Sequence, residues 1–144
     1  MISGKMVLAA VAVAVISFVI HSIESILTMS YYLMPELFAL WSKVMMPGQG
    51  APGTEFFVLS IFFAFIGGLL YAFVFNSIKA GIPGHNETMK GLNYGLILFL
   101  VAGLPSTFSM YLLLNIPTEL LSAWAVSGFI VYLLSGIIIA KILK

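Results

Sequence analysis

The sequence predicts an all-α integral membrane protein, a four-transmembrane-helix bundle with a short amphipathic interfacial helix between spans 1 and 2. Apolar residues make up 62% of the 144-residue chain, and its six basic and five acidic residues lie almost entirely between long hydrophobic runs. A water-soluble domain of this size cannot bury so much apolar surface. The bilayer is therefore the solvent, and residues 1–144 form one helical domain with no room for a separate soluble unit.

Four hydrophobic runs are long enough to cross a bilayer, which needs about 20 apolar residues per helix. The first run begins as a signal peptide would, with Lys5 before an apolar stretch. No small-x-small cleavage site follows, and His21 and Glu24 interrupt the place where one would lie, so an uncleaved anchor helix is the better interpretation. The four predicted spans cover residues 6–28, 56–78, 91–114 and 120–142.

A fifth helical element is expected between the first two spans, over residues 33–46. This segment is too short and too polar to cross the membrane. Its apolar side chains recur at helical spacing on one face, which predicts an amphipathic helix on the interface that caps the bundle. The residues of that face are Leu33, Leu37, Leu40, Trp41 and Val44.

The lysines predict the orientation of the chain in the membrane. Only Lys43 falls at one end of the predicted bundle, and five lysines fall at the other. The positive-inside rule then places both termini in the cytoplasm, in a cell (inner or plasma) membrane. The five lysines are Lys5, Lys79, Lys90, Lys141 and Lys144.

The composition excludes several classes of function. The chain has no cysteine, arginine or aspartate, which removes thiolate chemistry and the bidentate guanidinium clamp for anionic substrates. A net charge of +1 argues against nucleic acid as a partner. No nucleophile and base occur at a recognisable spacing, and no glycine-rich phosphate loop is present. We assign no catalytic residue, and an enzyme is the poorest fit.

Small and amide side chains predict how the spans pack, because lipid gives no hydrophobic drive for helix association. Gly68, Gly91 and Gly95 allow close backbone approach, which we expect between the second and third spans. Asn76 and Asn93 lie at matching depth in those spans, so an amide hydrogen bond between them is expected.

His21 and Glu24 need a functional explanation, because placing ionisable groups at membrane depth costs free energy. Their spacing of three puts them on one helix face. Pro105 is expected to break the third span at the same level, exposing polar groups there. We predict a polar pocket in the outer leaflet, and its residues are His21, Glu24, Thr28, Ser106, Thr107 and Trp124.

Three uses of this pocket stay open. The polar groups can pair with one another and fix the bundle, they can form a site for a proton or a small transported solute, or they can bind a metal or a quinone. Methionines at the outer end favour copper, although no metal ligand is assigned and no cofactor is identified. The favoured function is a non-catalytic membrane component whose partners are the lipid bilayer and a homo-oligomer or larger membrane complex. The outer methionines are Met29, Met34, Met45, Met46 and Met110.

Overall fold

Four membrane-spanning helices make up most of the computed structural model, which describes residues 2–48 and 51–144. This confirms the predicted four-span fold of a multi-pass membrane protein, and the helix ends fall within a few residues of the predicted ones. In chain order the elements are α1 (Gly4–Leu27), α2 (Met29–Tyr32), a 3₁₀ helix (Pro35–Leu40), α3 (Thr54–Ile78), α4 (Glu87–Leu98), a π-helical turn (Phe99–Gly103), α5 (Leu104–Leu113) and α6 (Thr118–Ile142).

The third span comprises α4, the π-helical turn and α5, and it begins before the predicted residue 91. The reason is local. The Asn86 side chain accepts a hydrogen bond of 2.9 Å from the backbone N–H of Met89, which satisfies one of the free donors of the first turn. Glu87, in that same turn, also suits the positive end of the helix dipole.

The short helix between the first two spans is a 3₁₀ helix over Pro35–Leu40, within the predicted range but shorter than it. Pro35 occupies the first turn, where its missing N–H costs nothing. Leu37 is buried, whereas Leu33 and Val44 are exposed. The apolar face therefore contacts the bundle over a single turn.

Neighbouring spans pack in the order α3, α1, α6, α4. A Cβ atom on Gly68 would lie 2.9 Å from Ala10 Cα of α1, and one on Gly95 would lie 2.7 Å from Leu133 Cα of α6. A Cβ atom on Gly91 would likewise contact the backbone of α6. All three glycines sit at close crossings, but the expected partner was wrong: the second span packs on the first, and the third packs on the fourth.

The expected amide bond between the second and third spans is also wrong. Asn76 is exposed, and the Asn93 amide donates instead to the carbonyl of Pro83 at 2.7 Å. The two spans meet through an aromatic residue, because the Tyr94 hydroxyl donates to the carbonyl of Tyr71 at 2.6 Å.

The packed core lies at the end of the bundle that holds both termini, which we call the terminal end. At the opposite, distal end none of the described residues of α5 is buried, although Leu120 and Leu121 of α6 are. Leu112 and Leu113 are each 80% exposed there. The core residues are Met6, Ala9, Val13, Ala72, Phe75, Ile82, Tyr94, Ile139, Ala140 and Leu143.

Pro105 does not break the third span, contrary to expectation. The helix accommodates it with the π-helical turn, in which the N–H of Leu104 reaches back to the carbonyl of Phe99. Proline has no N–H of its own to donate, and a wider turn just before it relieves the clash that a regular helix would suffer. The span therefore continues without interruption to Leu113.

Candidate functional site

Glu24 is a carboxylic acid that the structure buries within a span. Its side chain is 8% exposed and lies between α1 and α6 near the distal end. The Thr28 hydroxyl donates to Oε1 of Glu24 at 2.7 Å and also lies 2.9 Å from the backbone carbonyl of the same residue. A spacing of four places the two side chains on one helix face, so Thr28, the residue directly after α1, supplies the donor for the buried carboxyl.

An aromatic cluster of Tyr32, Trp41 and Trp124 lies beyond this pair. Nε1 of Trp124 donates to the Tyr32 hydroxyl at 2.8 Å. The Trp41 ring centroid is 5.3 Å from that of Tyr32 and 6.3 Å from that of Trp124. Burial raises the pKa of the Tyr32 phenol above its ordinary 10.0, against the smaller lowering effect of the Trp124 hydrogen bond, so the phenol stays neutral. The cluster ties the end of the first span to α6.

Tyr32 was not among the residues that the sequence predicted for the pocket. The available signal was spacing, since Glu24, Thr28 and Tyr32 follow one another at intervals of four. All three are buried on the face of the chain that packs toward α6.

An open groove of about 400 Å³ runs between the distal halves of α1 and α6, and Glu24 is part of its wall. Ser127, also in the wall, is buried, and its hydroxyl donates to the carbonyl of Trp124 at 3.1 Å. The rest of the lining is mostly aliphatic. The lining residues are Ile20, Ile23, Glu24, Leu27, Thr28, Ser122, Ala123, Val126, Ser127 and Ile130.

His21 is exposed and does not line this groove in the described part of the chain. Three residues turn an α-helix by about 300°, which leaves the side chains of His21 and Glu24 roughly 60° apart. Thr28 lies about 40° from Glu24 in the same direction around the helix, so His21 is at the edge of the buried face, about 20° beyond Thr28. Of the expected pocket residues, Glu24 and Thr28 are thus in direct contact, with Trp124 adjoining them through Tyr32.

Ser106 and Thr107 lie apart from the groove that contains Glu24, within the residues the structure describes. Ser106 is exposed, and the Thr107 hydroxyl donates within its own helix to the carbonyl of Gly103 at 2.9 Å. Ser106 follows Gly95 by eleven residues. In an unbroken helix, at about 100° per residue, it would return to the face toward α6. The π-helical turn adds a residue to one turn and rotates Ser106 off that face.

Ligand chemistry at the site is limited to what these side chains offer. Among the described residues, no three His, Asp or Glu side chains are grouped closely enough to hold a metal ion. The arrangement offers one buried carboxyl, several hydroxyls and an apolar groove. No protein-family model, curated protein or solved structure matches this chain.

Proposed function

We propose that this protein is a non-catalytic membrane component that packs against a second membrane-embedded chain, either another copy of itself or a larger subunit. The observation that carries the proposal is the exposure of His21 within α1. Polar and ionisable side chains at membrane depth nearly always face protein or a water-filled cavity, because contact with lipid is costly. A neighbouring chain over this part of α1 would remove the imidazole from lipid.

Two open glycines support the same proposal. Gly68 and Gly95 make close contacts inside the bundle, so they are not available to a partner chain. A Cβ atom on Gly67 or on Gly128 would meet nothing within 4 Å. Small residues are enriched where membrane helices approach closely. Their open faces on α3 and α6 are therefore candidate contact surfaces.

The partner proposal is tested by native mass spectrometry of the gently extracted protein, with Gly128→Leu and His21→Leu as variants. We expect the wild type to retain a second chain and Gly128→Leu to lose it while keeping the wild-type unfolding midpoint. Gly68→Leu is the contrasting variant, because it should unfold the bundle. A wild-type monomer, or an association that both Gly128→Leu and His21→Leu leave intact, contradicts the proposal.

We further propose that the terminal end faces the cytoplasm of a cell whose inner or plasma membrane holds the protein. Five of the six lysines belong to that end, which agrees with the positive-inside rule. Because the chain has no cysteine, single substitutions give a clean test. A membrane-impermeant maleimide should label Gly48→Cys in intact cells and Lys144→Cys only after permeabilisation. The reverse pattern would overturn the orientation.

A further inference from the structure

We infer that the terminal end of the α1–α6 pair binds the phosphate headgroup of an anionic phospholipid between the ammonium groups of Lys5 and Lys141. The inference is independent of any partner chain. It rests on where the two neighbouring helices place these lysines, on the charges around them, and on the exposed apolar surface that continues from them toward the bilayer centre.

Lys5 and Lys141 lie on the same side of the α1–α6 pair. Ile23 of α1 and Ala123 of α6 both line the open groove at the distal end of that side. Lys5 precedes Ile23 by eighteen residues, and Lys141 follows Ala123 by eighteen. Eighteen residues make about five complete turns of an α-helix, and both helices are continuous over these intervals. The two lysines are therefore in line with the groove, at the other end of the same helix pair.

The two lysines also lie at the same depth. Met6, directly after Lys5, and Leu143, two residues beyond Lys141, belong to one buried cluster that joins α1 to the end of α6. The side chains of Lys5 and Lys141 themselves are exposed. Their ammonium groups thus lie outside the core, one on each of two helices that pack together at this level.

The charges around the pair favour an anion. The first turn of α1 has no acidic residue, and Lys5 places a cation there, beside the positive end of the helix dipole. The negative end of α6 is already compensated, because the Lys79 ammonium donates to the carbonyl of Leu143 at 2.8 Å. The terminal end carries five lysines and one glutamate, Glu87 in the first turn of α4. A phosphate between Lys5 and Lys141 would offset the repulsion at α1 and bind through charge-assisted hydrogen bonds.

The adjoining apolar surface selects a lipid over a soluble phosphate. Leu8, three residues after Lys5, is 59% exposed, and Leu134, seven residues before Lys141, is 38% exposed. These spacings return to nearly the same helix face, on the bilayer side of each lysine. Lysine stems lie along apolar surface and carry their ammonium groups to the interface. Basic residues between membrane helices bind anionic headgroups in this way, with the acyl chains along the helices.

Native mass spectrometry of protein released from nanodiscs tests the inference. The nanodiscs contain equal amounts of dioleoyl phosphatidylglycerol and dioleoyl phosphatidylcholine, which differ only in the headgroup. We expect the wild type to retain phosphatidylglycerol in preference. Lys5→Gln and Lys141→Gln should each lower the ratio of retained phosphatidylglycerol to phosphatidylcholine about fivefold, equivalent to ~1 kcal/mol, whereas Lys5→Arg should keep it.

Lys90→Gln is the matched control, because it removes one positive charge at the same end from α4, where the backbone of Lys90 lies against Gly84. It should leave the lipid ratio unchanged. Equal retention of the two lipids by the wild type, or an equal fall in Lys90→Gln and Lys5→Gln, overturns the inference in favour of no site or of a diffuse charge effect. Displacement of phosphatidylglycerol by excess inorganic phosphate overturns the lipid as the occupant.

Discussion

Replacing Gly95 with alanine should loosen the crossing of α4 and α6 and destabilise the protein by about 2 kcal/mol. The new Cβ atom would lie 2.7 Å from Leu133 Cα and 2.9 Å from the carbonyl carbon of Tyr132. Carbon atoms pack best at about 3.5–4.0 Å, so the helices must separate by roughly 1 Å. A gap of that size forfeits about a quarter to a half of the dispersion attraction between the facing atoms.

Gly128→Ala is the matched control, because the same methyl group on α6 would meet nothing within 4 Å. Alanine also favours a helix over glycine by about 0.8–1.0 kcal/mol, so this variant should be neutral or slightly more stable. The assay is equilibrium unfolding in mixed micelles of rising SDS content, followed by tryptophan fluorescence. If Gly95→Ala and Gly128→Ala unfold at the same SDS fraction, α4 and α6 do not approach as closely as described.

The same unfolding assay checks three further substitutions. Tyr94→Phe removes the 2.6 Å bond to the Tyr71 carbonyl and should cost about 1 kcal/mol, and a wild-type midpoint would contradict that role. Thr28→Val leaves Glu24 Oε1 without its described donor and should cost about 1–3 kcal/mol, whereas Thr28→Ser should remain close to wild type. The Lys79 ammonium donates at 2.8 Å to the carbonyl of Leu143, directly after α6. Lys79→Met removes this bond and should lower the free energy of unfolding by about 0.3–1 kcal/mol. That loss should shrink at high salt, and a salt-independent loss would point to packing of the lysine stem instead.

The spans were predictable because hydrophobic runs and the charges between them report membrane crossings directly. The pairing of the spans was not. Gly68 and Gly91 were recognisable as close-packing residues, but a small-residue face fits any helix of complementary shape. Because a membrane helix is apolar on every side, its sequence does not indicate which face packs against a neighbouring span. Only the three-dimensional structure shows that Gly68 contacts Ala10 and that Gly91 contacts α6.

The candidate site was predictable where it depends on one helix. Glu24 and Thr28 meet because they lie four residues apart at the end of α1. The exposure of His21 could not be predicted from spacing, because His21 lies within about 20° of Thr28 around the helix. Ser106 could not be placed, because the π-helical turn changes the phase of everything after it. Pro105 signalled an irregularity in the sequence, but it did not indicate whether the chain would break there or widen by one residue.

The position of α6 at the centre of the bundle determines when the fold can close during synthesis. Membrane helices insert individually and associate afterwards, in the order in which they emerge. Once α3 is inserted, Gly68 already has its partner in α1. The third span must wait, because Gly91 and Gly95 have no surface to receive them until Gly136 arrives with α6. Until then the face of the third span that carries Gly91 and Gly95 stays uncovered, so this span gains its main packing partner only when the last span has been inserted.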